Sequence, residues 1–420
     1  MNIGARKFIK KPLGLYSSFF IVFVFLNCIF YRDFSYISFG SNIYITEVFI
    51  SFSFLFIFVY LTQKIKSGNI KITKTIIYWM LFFIWATVLL IADNGADFIY
   101  KIREYASVYY SLFFIFVVML LSSLKSSDSI FKTLIVAAVF ATIYVFIRFL
   151  SGMGNITTTD LVYRYGNYEL VGILILFCFY FAKFIQGDGK GYISLIVIVV
   201  CVFVVNFLIA HRSGSLAMSI STLIVLFFLG RNKRTIDKAV LSIVLGVISL
   251  TLIMFALPEI GGRAISRIAG VFDSSIYEDP NASWRLLVWK HVVSNMSIME
   301  ILHGVGWGYK VPLLVFSGRD YSVDGFIGIH NSIIYYFLHT GLIGITFLLT
   351  FLFSIYLKAI TAINNLTSTK NKRIMVTLFA SNLGILFFAL FNVVLEGPYM
   401  SIVFWVTLGL LYNYSKHFAK

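Results

Sequence analysis

Apolar residues run through this chain in blocks of about 18–22, separated by short polar breaks, and no block alternates with the period of two that marks a half-buried strand. A block of that length crosses a hydrocarbon core of about 30 Å as a helix. Inside lipid only helices and closed barrels satisfy their own backbone hydrogen bonds, and unalternating blocks exclude the barrel. The blocks fall at 14–31, 44–61, 75–92, 106–122, 131–150, 170–185, 192–210, 215–230, 239–257, 330–357, 374–395 and 398–414. The pattern predicts an all-α polytopic membrane protein of about twelve spans, forming a single integral membrane domain over 1–420. The first block follows Arg6, Lys7, Lys10 and Lys11 as a signal peptide would. It lacks an A-x-A site and is long enough to span, so it is read as an uncleaved helix.

Charge orients the helices. With the N-terminus inside and twelve alternating spans, 22 of the 34 Lys and Arg residues fall inside, as the positive-inside rule requires. Both termini are then expected in the cytoplasm, and the net charge of +16 is mostly a topological signal. The residue types divide more sharply than the totals. The inner set holds 18 Lys and 4 Arg; the outer set holds 3 Lys and 9 Arg, namely Arg32, Arg103, Arg148, Arg164, Arg212, Arg263, Arg267, Arg285 and Arg319. Lysine suffices for topology, whereas the planar guanidinium fork suits bidentate phosphate binding. Pairing with external carboxylates is the competing account. Basic residues scattered over short loops leave no nucleic-acid surface.

One polar break is far longer than the rest. Residues 258–329 form a large external loop, expected to carry amphipathic helices, and this is where an enzyme working at a membrane surface would keep its chemistry. Asn281 or Ser283 is placed to cap a helix whose Arg285 and Trp289 share one face, with Val292, Val293 and Met296 as an apolar stripe. That helix is expected on the membrane surface or packed on the bundle. Gly304-Val-Gly306-Trp-Gly308 reads as a tight turn whose N–H groups approach either a substrate or nothing. The loop ends at His330-Asn331, where an apolar helix resumes. A helix N-terminus disfavours imidazolium, which keeps His330 neutral as a base and attracts an anion. Gly341 and Gly344 return to the His330 face at 100° per residue, leaving a groove for a lipid chain or a neighbouring helix. His339 lies opposite and is read as packing. Spans nearly free of ionisable groups argue against an ion-coupled transporter. Cys28, Cys178 and Cys201 lie inside apolar blocks as small hydrophobes; no metal and no cofactor is expected.

These residues match a family pattern. His330-Asn331, nine residues, Gly341, two residues, Gly344 resembles the H-[NSQ]-x9-G-x-x-[GTY] motif of the bacterial O-antigen polymerase and O-antigen ligase superfamily. Arg212-Ser-Gly-Ser-Leu216 is similar to its R-x3-L motif. Ser283-Trp-Arg285…Trp289 with Gly304-Val-Gly306-Trp-Gly308 resembles the segment before the histidine, and Arg164-Tyr-Gly166-Asn167 an earlier signature.

The resemblance implies an inverting, metal-independent glycosyltransferase of GT-C-like fold, acting on undecaprenyl-diphosphate-linked oligosaccharides as donor and acceptor. Its site would face the periplasm from the inner membrane. Carried over, His330, Arg212 and Arg285 are the catalytic residues: the arginines hold the diphosphate and the histidine orients or deprotonates the acceptor hydroxyl. Arg148, Arg164, Asn167, Arg263, Arg267, Arg319 and Asn331 are substrate-binding candidates, and Glu169, Asp324 and Glu396 are alternative bases. Partners would be membrane lipids and a chain-length regulator. The polymerase is preferred to the ligase, because abundant Phe, Ile, Tyr, Asn and Lys reflect the AT-rich coding common in O-antigen clusters. A lipid-linked oligosaccharide flippase is the alternative of another class; it would place charge within the spans.

Overall fold

The computed structural model describes residues 3–40, 43–66, 73–92, 98–156, 163–166, 168–187, 191–209, 211–230, 237, 280–311 and 328–418, with backbone alone at 3–13, 63–66, 155–156, 163–164 and 280–284. The helices are α1 (Ile3–Ser35), α2 (Ile45–Lys66), α3 (Lys74–Ala92), α4 (Phe98–Tyr109), α5 (Leu112–Leu120), α6 (Leu124–Leu150), α7 (Leu170–Gln186), α8 (Gly191–Phe203), α9 (Arg212–Leu229), α10 (Pro280–Asn295), α11 (Ile298–His303), α12 (Ser332–Asn365), α13 (Thr369–Ala389) and α14 (Pro398–Phe418). Among the described residues the only strands are Asn155–Ile156 and Tyr163–Arg164, a two-residue antiparallel pair. The molecule is a polytopic all-α membrane protein.

Eight described helices are long and apolar enough to cross a membrane, or nine if α4 and α5, bent by 42° to one another, make one span. The apolar α7 is shorter, at 17 residues. The expected block 239–257 lies outside the described residues, as do 258–279 and 312–327 of the long loop.

α14 is the centre of the bundle: every residue from Pro398 to Ser415 is buried. The helices around it present large apolar side chains outward, such as Leu55, Phe58, Ile91 and Phe227. In lipid that exposure carries no hydration cost, so helix association must rest on packing and polar contacts. Both are present. Tyr356 donates to Asn382 Oδ1 at 2.6 Å, and the Asn382 amide donates to Phe404 O and Thr407 Oγ1, joining α12, α13 and α14. At Gly409 an added Cβ would lie 2.8 Å from Val117, so α5 and α14 approach closely only without a side chain there.

The two ends of the bundle sort by residue type. One gathers Arg32, Arg103, Arg148, Arg212 and Arg285 with the residues before α12 and α14. Arg32 reaches Tyr168, Tyr168 packs on Tyr399, and Glu47 accepts from Tyr109. The other joins Thr73 to Tyr412, Lys358 to Thr75, Gln186 to Thr369 and His417 to Ser122. These are the arginine-rich and lysine-rich ends below.

Candidate active site

At the arginine-rich end, α12 starts at Ser332, two residues later than the apolar block suggested. Asn331 is its N-cap, extended at φ −154, with Oδ1 accepting the N–H groups of Ile333 and Ile334 at 3.0 Å each. The side-chain oxygen of Asn331 therefore has a structural task. His330 stands outside the helix at φ +51, in the left-handed region that costs a side chain about 1–2 kcal/mol. Strain of this kind persists where the surroundings over-determine the residue. Here Trp289 of α10 supplies the determination, its Nε1 donating to Ile329 O at 2.8 Å.

α10 begins at Pro280, which suits a first helical position, and not at Asn281 or Ser283. Its Val288 and Val292, with Met296 just past its end, pack on Val311, Ile329 and Leu338, while Val293 is exposed. Of the two placements expected for this helix, packing on the bundle is the one observed. The docking sets half-buried Arg285 near His330. Burial and then the Arg285 charge push the imidazole down to about 4, so it is neutral at pH 7.

The groove geometry also changes, because α12 breaks at Gly341 (φ 63, ψ −168). A break orphans carbonyls, and other elements capture them. Val305 N–H donates to Leu338 O at 2.8 Å, and Trp85 Nε1 to Thr340 O at 2.9 Å. A Cβ on Gly341 would meet the Gly304 N and Leu302 O at 2.4 Å. The glycine pair admits a neighbouring chain, and the Gly304–Gly308 segment directs its described N–H groups into the protein: Gly308 N–H goes to Glu104 at 2.9 Å.

A cavity of about 210 Å³ opens beside His330, and Glu104, Glu396, Lys310 and His339 also line it. Reasoning from sequence missed Glu104, which lies just before a span and reads as one more external carboxylate. Tyr100 O–H and Gly308 N–H donate to it, and His339 Nε2 lies 3.6 Å away. His339 is buried, takes Gly306 O at 2.7 Å through Nδ1 and stacks on Trp307. It packs as expected, yet it also forms cavity wall. Glu396 accepts from Ser332 Oγ at 2.7 Å, and burial raises its carboxyl to about 7.

Ser332 also anchors the turn carrying Glu396, accepting from Val394 and Leu395 N–H. From the same turn Asn392 donates to Ser213 Oγ at 2.7 Å, and Ser213 is 2.8 Å from His211 Nδ1. The segment around Arg212 is thereby tied to the start of α12. Arg212 itself is exposed in the first turn of α9, just past a π-helical turn over Val204–Ile209, and Tyr165 N–H donates to Leu208 O of that turn. π-turns recur at functional sites.

The remaining candidates divide. Arg148 lies 3.8 Å from Glu169 and donates to Met153 O, so both it and Glu169 are used in pairing the end of α6 with the start of α7. Arg164 is described by its backbone alone. Asn167, Arg263, Arg267, Arg319 and Asp324 lie outside the described residues.

Fold and site together define an integral membrane protein with a polar, partly enclosed site at one end of its helix bundle. Residues 197–349 match the family model described as O-Antigen ligase. The match spans Arg212, Arg285, His330 and Gly341, supports the O-antigen ligase and polymerase superfamily, and indicates a ligase- or polymerase-like function. No curated protein matches the chain.

Proposed function

We propose that this protein is an O-antigen polymerase, joining undecaprenyl-diphosphate-linked oligosaccharide repeat units at the outer face of the inner membrane by inverting glycosyl transfer. The observation that carries the reading is His330: held outside its helix in a strained conformation, neutral, beside Arg285 and over a cavity with two carboxylates. The lysine bias of one end and the arginine bias of the other support a periplasmic site with cytoplasmic termini.

In the proposed step the donor C1–O bond to the diphosphate breaks and its electron pair leaves on the diphosphate oxygen. The acceptor hydroxyl oxygen bonds C1 from the opposite face, and its proton passes to a ring nitrogen of His330. Arg212 and Arg285 stabilise the charge on the leaving diphosphate, a contribution of about 3–4 kcal/mol per preorganised donor in comparable sites. An imidazole at about 4 is a weak base. A diphosphate beside Arg285 offsets the field of that guanidinium, one of the two causes of the depression, so donor binding itself strengthens the base.

The test is lipopolysaccharide on a gel from a strain deleted for this gene and complemented with wild type or His330→Ala. Core bearing a single repeat unit after deletion supports the polymerase. Bare core with polymer accumulating on undecaprenyl diphosphate supports the ligase, the second reading, which the family description favours. A full ladder with His330→Ala removes histidine from the mechanism.

A further inference from the structure

The arginine-rich end holds a second and larger cavity, of about 660 Å³, that the transfer step above does not use. Its walls come from the end of α1, the start of α2 and α4, all outside the family-matched stretch 197–349. Glu396 lines it as well as the His330 cavity, so the two adjoin across one carboxylate. We propose that this second cavity is the acceptor site, where a phosphate-bearing glycolipid is held with its sugar turned toward Glu396 and the donor beyond. The proposal rests on the transferase reading and adds to it the place of the second substrate.

Three features of the cavity fit that occupant. Its lining is rich in aromatic rings: Tyr36, Tyr44, Tyr109 and Tyr110 face it, and Tyr36 packs on Tyr44 with centroids 5.0 Å apart. Such rings give a sugar an apolar face to stack on and hydroxyls to meet. Its charged groups are of both signs and are held in place. Arg32 donates to Tyr168 at 3.2 Å and lies over the Tyr36 ring, and Glu47 takes the Tyr109 hydroxyl at 2.7 Å and Tyr44 N–H at 2.9 Å. Arg103 and Asp33 complete the set, guanidinium for phosphate and carboxylate for sugar hydroxyls. Its rim is apolar: Phe98 and Ile102 line it, and both are exposed. A water-soluble acceptor has no use for that rim, whereas a lipid anchor does.

Cysteine protection tests the placement, because the three native cysteines are buried and a new one labels alone. Ile102→Cys, with Phe98→Cys as the second variant, is labelled by a maleimide in membrane vesicles. Purified undecaprenyl-diphosphate-linked repeat unit is expected to slow labelling at least threefold. Protection by lipid A-core in its place keeps the acceptor site and makes the acceptor that of a ligase. Equal protection by bare undecaprenyl diphosphate, or none by any glycolipid at either cysteine, overturns the proposal. In reconstituted protein, Arg103→Ala is expected to raise KM for the glycolipid fivefold or more with kcat within twofold. A fall in kcat at unchanged KM sinks the acceptor role. Should the deletion strain keep its full ladder, the transferase reading itself falls. A deletion that abolishes the ladder, with both cysteines unprotected, removes the acceptor site alone.

Discussion

The two ends of the bundle have the same helices running through them and opposite habits. At the lysine-rich end ionisable groups close the structure. Lys358 donates to Thr75 and lies over Tyr412, Arg373 lies over Phe179, and Tyr414 bonds Asp128. At the arginine-rich end they face cavities: His330, Glu104 and Lys310 line one, Arg32, Asp33 and Arg103 the other, with Glu396 between. The difference is that at one end charge makes contacts within the bundle, and at the other it is presented to cavities. A net charge of +16 hides it completely.

Five substitutions sharpen or break that contrast. The largest effect is expected from His330→Ala and Arg285→Ala, each lowering transfer about 100-fold or more with membrane protein levels retained, measured as polymer formed per molecule. Full activity in either variant would return the arginine-rich end to a topological role. Next is pH. Glu396 is raised by burial to about 7, so it becomes a carboxylate only as pH rises through neutrality, and the rate should rise over pH 6–8. Glu396→Gln should abolish that rise. The same shift works against folding on the alkaline side. A carboxyl raised in the folded state adds stability that is fully present below its ordinary pKa near 4.5 and lost as pH climbs through about 7. His330 has the opposite sign: its neutral form is favoured, and that contribution is lost as pH falls from about 6.5 toward 4.

A smaller effect is expected from Asn392→Ala. It unties the Arg212 segment from the start of α12 and should slow transfer about tenfold, since misplacing a bound group by about an ångström costs up to 100-fold. The smallest belongs to the lysine-rich end. Arg373→Gln should leave transfer within twofold, and a tenfold loss there would break the comparison.

Much of this was legible before any coordinates. Helices are forced wherever lipid leaves the backbone no other partner, so the all-α membrane class was legible from the blocks, of which eight or nine match described helices long and apolar enough to span. The same blindness hid the irregularities. An apolar run looks identical whether it continues, bends at Tyr110-Ser111, opens into a π-turn at Val204 or breaks at Gly341, because what compensates each break comes from elsewhere in the chain. Trp85 lies 255 positions from the carbonyl it captures. In the site, His330 and Arg285 could be read from their motifs and do come together. Glu104 could not, since nothing local separates it from Glu47 or Glu169, and only the fold aims it at a cavity. An external arginine can pair with a carboxylate or bind phosphate. Arg148, 3.8 Å from Glu169, shows the first at work.

The interlock at Gly304 and Gly341 has a consequence for ancestry and engineering. Neither position has room for a single carbon, since each would drive it into the backbone of the other's segment. The stretch around α11 and the first turns of α12 must therefore be inherited as a matched pair. Chimaeras between relatives that cross over between residues 308 and 332 would bring together halves shaped for different partners. Those that exchange everything from α10 through the first turns of α12 at once would carry the histidine and its Trp289 support across together.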